Sequence, residues 1–215
     1  MLHTIRRDPD QPERVLFVLP GYGDSPGHFL GRVDEFDPDG RWLVMVPEPR
    51  IQSADGPIWY SVDENGVDQG AFSGSLDALS DCVSQTLKET GIGPDRLVIA
   101  GFSQGGALAL ASLLVPSFQP RPNAVAVLAG YLADHDHIDL ASAMSRPVLV
   151  AHGRDDATVD TIRGRSAAKA LDRSGAIVSW HEVDGGHRFG PDLLAPFRLW
   201  LDELVRGELP DRPIS

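Results

Sequence analysis

Cysteine and basic residues are scarce in this chain. The only cysteine is Cys82, which excludes an intramolecular disulfide, and its neighbours Leu79 and Val83 predict a small buried hydrophobic side chain. Lys and Arg number 19 against 31 Asp and Glu, which gives a formal net charge of −12. Such a charge repels phosphate backbones and anionic lipid surfaces. We therefore expect no nucleic-acid partner and no stable membrane association.

Long apolar runs are also absent. No stretch approaches the roughly 18 uninterrupted apolar residues of a membrane span, and residues 1–9 lack the apolar region of a signal peptide. These features predict a cytoplasmic protein. A length of 215 residues suits one α/β domain over 1–215, with its core at about 13–205 and a flexible tail at 209–215. The sequence leaves open whether the chain is a monomer or a homodimer.

Short apolar runs are present, and they are typical of strands buried on both faces of a sheet. They lie at 15–19, 42–46, 97–100, 124–128 and 148–151, and a further strand is predicted at 176–183. Helical spacing of apolar residues occurs at 76–87, 108–114, 162–171 and 193–204. This alternation predicts an α/β fold with a doubly wound, mostly parallel sheet and helices on both faces. Residues 47–74, rich in Pro, Gly, Asp and Ser, predict a long loop.

A G-x-S-x-G motif occupies residues 101–105, where the sequence is Gly-Phe-Ser-Gln-Gly. It follows the predicted strand 97–100 and precedes the helix-forming run 107–111. A serine on such a tight strand-to-helix turn has its Oγ exposed at the top of the sheet, beside the backbone N–H groups of a helix start. The context therefore favours Ser103 as a catalytic nucleophile over a glycine-rich turn that is capped by a serine.

A serine nucleophile needs a base to take its proton and a third group to orient that base. His187 lies on a glycine-rich turn after the last predicted strand and is the candidate base. Two carboxylates, Asp155 and Asp156, follow the carboxyl end of the strand 148–151. Both qualify by position as the orienting acid.

Other histidines are assigned to structural or solvated positions. His152 lies at a strand end, where its ring can bond the adjoining loop. His135 and His137 alternate with aspartates, but without further spaced ligands this pattern predicts a solvated surface loop and no metal site.

An acyl-transfer site also needs backbone N–H donors for the oxyanion. The expected donors are the N–H of Gln104, which follows the serine, and the N–H of Tyr22 in the glycine-containing loop 19–24. The expected apolar lining of the substrate cleft consists of Trp59, Phe72 and Tyr131, with Phe189 as a further candidate. This chemistry requires no cofactor.

Several motifs together resemble those of one family. Residues 101–106 match its Gly-Phe-Ser-Gln-Gly-Gly elbow at every position, and residues 19–24 match its oxyanion loop except that Pro20 replaces a histidine. Further matches are the acid-loop residues His152, Gly153, Asp156 and Val159, the Gly186-His187 turn, the Trp59-Tyr60 pair and residues 130–132. The chain thus resembles the phospholipase/carboxylesterase (acyl-protein thioesterase-like) family of the α/β-hydrolase superfamily. The acid-loop spacing of that family implies Asp156, not Asp155.

The resemblance implies a carboxylesterase-type serine hydrolase with Ser103, Asp156 and His187 as its catalytic residues. The expected substrates are small short- to medium-chain esters or thioesters, hydrolysed through an acyl-enzyme. Residues 130–146 leave no room for a large lid, so the cleft is expected to be open. Alternatives are a (lyso)phospholipase or acyl-protein thioesterase, or a non-catalytic ligand-binding module on a hydrolase fold.

Overall fold

The computed structural model describes residues 2–64 and 66–208, so the predicted tail at 209–215 lies outside the described residues. In chain order the strands are β1 (Thr4–Arg7), β2 (Arg14–Leu19), β3 (Trp42–Pro47), β4 (Ile51–Ser53), β5 (Gly56–Ile58), β6 (Val62–Asp63), β7 (Gly66–Val67), β8 (Leu97–Phe102), β9 (Ala124–Leu128), β10 (Pro147–Gly153) and β11 (Ile177–Val183). The helices are α1 (Pro26–Leu30), α2 (Val33–Phe36), α3 (Gln69–Thr90), α4 (Gln104–Leu114), α5 (Thr161–Arg173) and α6 (Pro191–Arg206). No helix in these described stretches is long and apolar enough to span a membrane.

The main sheet has seven strands in the order β1-β3-β2-β8-β9-β10-β11. All neighbours pair in parallel except β1, which runs antiparallel to β3 at one edge. The predicted mostly parallel, doubly wound sheet is confirmed, and the strands differ from their predicted bounds by a few residues at most. Strand β1 was not predicted from the sequence, because a four-residue, partly buried edge strand has too little apolar periodicity to be recognised.

Two apolar layers cover the sheet, one on each face, and alternate residues of one strand serve different layers. Along β2, Phe17 belongs to the layer that includes residues of α3, α4 and α5, while Leu16 and Val18 belong to the layer that includes residues of α1, α2 and α6. This two-sided burial explains why the central strands are continuous apolar runs. Cys82 lies in the first layer, as predicted, and burial raises the pKa of its thiol.

The prediction of one long loop over 47–74 is wrong in its detail. The segment contains the hairpins β4-β5 and β6-β7, and α3 already begins at Gln69. The Asp68 carboxylate caps that helix by accepting from the N–H of Ala71 at 2.9 Å. Strands of two or three residues show no readable periodicity, and glycines in the first turns of α3 hid its start. Between β9 and β10, described throughout, the chain forms only a short 3₁₀ helix at Leu140–Ala143 and no lid domain.

The turn between β8 and α4 is tightly packed backbone. Ser103 adopts φ 52° and ψ −116°, which is strained for a residue with a side chain, and its N–H donates to the Leu128 carbonyl at 2.9 Å. A Cβ at Gly101 would overlap the Gly105 carbonyl, and a Cβ at Gly105 would overlap the carbonyls of Leu19 and Pro20. Only glycine therefore allows these backbones to meet.

We expect Gly101→Ala to lower the free energy of unfolding by about 1–3 kcal/mol, because the new methyl group would collide with backbone that has no room to move. Gly74→Ala is the matched control. Position 74 is an exposed helical site with open space around a Cβ, so alanine should raise stability by about 0.5–1 kcal/mol. Chemical denaturation of both variants measures the difference. Equal stability of the two variants would contradict the close-approach argument.

Candidate active site

Three side chains converge at the carboxyl edge of the sheet. Ser103 follows β8, Asp156 follows β10 and His187 follows β11, which are strands of one parallel sheet. His187 Nε2 lies 2.9 Å from Ser103 Oγ, and His187 Nδ1 lies 2.7 Å from Asp156 Oδ2. An ionised carboxylate only accepts hydrogen bonds, so Nδ1 carries the hydrogen and the lone pair of Nε2 faces the serine hydroxyl. The imidazole is thus oriented to take a proton from Ser103.

The Asp156 carboxylate is buried yet remains charged. Burial by itself would raise the pKa of Asp156, but the hydrogen bonds from His187, Val159 N–H and Thr158 N–H together hold this pKa below its ordinary value. The two backbone N–H groups donate to Oδ1 at 2.8 and 2.9 Å. The group is therefore ionised throughout the neutral range and fixes the tautomer of His187.

His152 supports the acid loop from the interior. Its ring is fully buried, and Nε2 lies 2.7 Å from the Val159 carbonyl and 3.3 Å from Asp156 Oδ2. Because both partners are acceptors, Nε2 carries the hydrogen. The structural placement predicted for His152 agrees with these contacts. Asp155, in contrast, is exposed, and its N–H donates to the Gly185 carbonyl at 3.0 Å.

The two predicted oxyanion donors belong to segments that are packed together. Gln104 is the first residue of α4, where backbone N–H groups lack partners within the helix. Tyr22 belongs to the loop after β2, whose carbonyls at Leu19 and Pro20 lie against Gly105. The Tyr22 side chain points away to solvent, where its hydroxyl donates to Asp55 at 3.2 Å.

The structure does not bring the predicted substrate-lining aromatics to an open cleft. Trp59 and Phe72 have no exposed surface; Trp59 lies in the core, and Phe72 is on the buried face of α3. Tyr131 is 9% exposed; its hydroxyl lies 3.0 Å from that of Tyr60, and the Arg163 guanidinium stacks on its ring at 4.0 Å. Aromatic residues in a glycine-rich segment give no sequence signal that separates a cleft wall from a core position.

A cavity of about 400 Å³ opens beside His187 instead, and of the aromatic residues expected at the cleft only Phe189 lines it. Its wall includes the side chains of Asp24, His28, Arg32, Phe102, His187, Arg188 and Phe189. Burial raises the pKa of Asp24, partly offset by His28, the Gly21 N–H and His187. Asp24 and Arg188 also had a signal in the sequence, since Asp24 lies in the predicted oxyanion loop and Arg188 directly follows the predicted base.

The prediction that His135 and His137 both lie on a solvated loop is wrong for His135, which is buried. His135 is 7% exposed, stacks on Phe72 at 4.7 Å between ring centroids and lies 3.1 Å from the Ser73 hydroxyl. Desolvation, followed by the nearby His137, lowers the pKa of His135. Among residues 2–64 and 66–208, no group of three or more His, Cys, Asp or Glu side chains is placed to hold a metal ion.

The mostly parallel sheet and the strained serine turn between β8 and α4 are features of an α/β hydrolase. The model of the phospholipase/carboxylesterase family matches residues 3–202. The chain therefore belongs to that family, and its relatives support a hydrolase of the carboxylesterase type.

Three comparisons illustrate this relationship. A probable carboxylesterase SOBER1-like protein of Arabidopsis thaliana is 30% identical over 220 residues, covering 94% of this chain and 83% of the relative. Acyl-protein thioesterase 1 of Kluyveromyces lactis is 26% identical over 76% of this chain and 78% of its own. The crystal structure of the Bacillus cereus carboxylesterase superposes with a TM-score of 0.83 over 95% of both chains at 17% identity, which shows the shared fold.

The geometry predicts different consequences for the two neighbouring aspartates. Asp156→Asn should lower kcat by about 10⁴-fold, because an amide stabilises the wrong imidazole tautomer. Asp155→Asn is the matched control, and it should stay within about threefold of the parent because surface substitutions have small effects. Steady-state kinetics on a soluble p-nitrophenyl ester gives both values. The reverse order would assign the acid to Asp155.

Proposed function

We propose that the protein is a serine carboxylic-ester hydrolase that works through an acyl-enzyme, with Ser103, His187 and Asp156 as its catalytic residues. The observation that carries the proposal is the continuous hydrogen-bonded chain from Ser103 Oγ through His187 to Asp156, with distances of 2.9 and 2.7 Å. The family membership and the strained backbone at Ser103 support it.

The reaction follows from the proton positions. Ser103 Oγ attacks the substrate carbonyl while His187 Nε2 takes its proton, and the backbone N–H groups of Tyr22 and Gln104 stabilise the resulting oxyanion. The imidazolium then gives that proton to the departing alcohol or thiol, which leaves an ester on Ser103. A water, deprotonated by His187, attacks this ester, and the proton returns to Ser103 as the carboxylic acid departs.

Short- to medium-chain substrates are the class that we assign to the cavity. Its wall beside His187 is mixed: the apolar side chains of Phe102, Val183 and Phe189 lie next to the charged groups of Asp24, Arg32 and Arg188. An extended aliphatic chain would displace the water molecules that hydrogen-bond to such groups and would offer no hydrogen bonds in their place. This desolvation is unfavourable. Trp59 and Phe72, which lie in the core, supply no exposed apolar wall. Thioesters satisfy the same requirements as esters, because His187 protonates either leaving group.

The identity of the nucleophile is tested by Ser103→Ala. We expect kcat to fall by several orders of magnitude, and labelling by a fluorophosphonate probe to disappear, because the reactive hydroxyl is gone. Ser112→Ala is the control: Ser112 is a buried serine of α4 whose hydroxyl donates to the Ala109 carbonyl at 2.6 Å. That variant should label like the parent. Undiminished turnover in Ser103→Ala would refute the proposed mechanism.

Substrate length is tested by kcat/KM across p-nitrophenyl esters with acyl chains from two to sixteen carbons. Each buried methylene contributes at most about 0.8 kcal/mol, and only where apolar wall covers it. We therefore expect kcat/KM to rise over the first few carbons and then to level or fall. A maximum at the longest chains would contradict the assignment and favour a lipase or a protein-depalmitoylating enzyme.

A further inference from the structure

The segment Asp55–Tyr60 links the two halves of the proposed oxyanion hole, although it contributes no residue to the proposed triad. This segment, which we name the bridging segment, comprises the turn and second strand of the β4-β5 hairpin and the Trp59-Tyr60 pair. One of its sides contacts the loop that carries Tyr22. The other contacts Gln104, the residue after the nucleophile.

On the first side, the bridging segment holds the peptides that flank Tyr22. The indole N–H of Trp59 donates to the Pro20 carbonyl at 2.8 Å, and the Gly23 N–H donates to the Pro57 carbonyl at 2.9 Å. A proline at position 20 removes an N–H but keeps this carbonyl acceptor. Tyr22 lies between these two attachment points, so the direction of its own N–H is set from both ends.

On the second side, the amide group of the Gln104 side chain forms two hydrogen bonds with the backbone of the bridging segment, like those between neighbouring strands. Its Oε1 accepts from the Trp59 N–H at 2.9 Å, and its Nε2 donates to the Tyr60 carbonyl at 2.7 Å. Gln104 is 5% exposed and Trp59 is fully buried. Water therefore has no access to replace these hydrogen bonds if one is removed.

We infer that the Trp59 indole and the Gln104 side-chain amide are positioning groups that set the separation of the two oxyanion donors. The inference rests on the proposed function, because it presupposes an oxyanion at Ser103. Donors act only when they lie about 2.7–3.1 Å from the place that the oxyanion will occupy. The loop of Tyr22 contains glycines on both sides of that residue. It needs external attachment to hold its donor at such a distance.

The primary test compares Trp59→Phe with Trp200→Phe. Trp59→Phe keeps an aromatic ring and removes the donor to Pro20. Trp200 is equally buried, and within the part of the chain that the structure describes its indole nitrogen has no hydrogen-bond partner. Both variants lose similar volume from the core, and Trp59→Phe should lose somewhat more thermal stability, because it also leaves the buried Pro20 carbonyl without its donor.

The kinetic outcomes separate a positioning role from a merely structural one. Loss of a single oxyanion donor lowers kcat by about 10²–10³-fold, so its displacement in Trp59→Phe should lower kcat by about 10- to 100-fold. KM should change less than about threefold, since the donors act on the transition state. Trp200→Phe should retain the parental kcat. Parental kcat in Trp59→Phe, or an equal loss in both variants, would overturn the inference.

A second pair of variants tests the other side of the bridging segment. Gln104→Met removes both side-chain hydrogen bonds and keeps the backbone N–H that is the proposed donor. We expect kcat to fall about 10-fold or more, and the double variant with Trp59→Phe to lose less than the product of the single losses, because both act on one segment. Strictly multiplicative losses would contradict a shared role.

Failure of the inference is distinguishable from failure of the proposed function. If the parental protein resists fluorophosphonate or Ser103→Ala retains turnover, the serine mechanism is wrong and the bridging segment has no oxyanion to serve. If the parent is labelled and Ser103→Ala is inactive while Trp59→Phe keeps full kcat, only the positioning role is wrong.

Discussion

The close approach of three backbone segments around Ser103 is the constraint on which the rest of the structure depends. The end of β8, the start of α4 and the loop after β2 meet where Gly101 and Gly105 lack side chains. This contact holds Ser103 in a strained conformation above the sheet and packs the loop that carries Tyr22 against the start of α4. The two-sided core supplies the packing energy that keeps such strain in the folded state.

The parallel sheet then determines which side chains lie next to this serine. Because all the central strands end at one edge, loops that are distant along the chain become neighbours there. Asp156 and His187 lie on separate loops. The Asp156 carboxylate is buried, and it remains charged because three N–H groups donate hydrogen bonds to it. The adjacent cavity has a mixed wall, in which the charged groups of Asp24, Arg32 and Arg188 lie next to the apolar side chains of Phe102 and Phe189.

Sequence patterns predicted those parts of the structure that depend on residues close together in the chain. The apolar runs marked the central strands, because residues buried on both faces must all be apolar, and the glycines around Ser103 marked the turn, because sterics require them there. The resemblance to a family went further than the patterns did. It favoured Asp156 over its neighbour Asp155, a choice that the residues by themselves left open, and the structure places Asp156 against His187.

Tertiary structure decided what depends on partners far apart in the chain. From the sequence, Trp59 and Phe72 could each line a cleft or belong to the core, and only the packing of the folded chain assigned them to the core. The hydrogen bond from Trp59 to Pro20 spans 39 positions, and no periodicity reports a contact of that kind. Composition and spacing thus determined the sheet and the serine turn. The burial of each side chain and the bridging segment emerged only when the chain was folded, because both depend on which loops the sheet brings together.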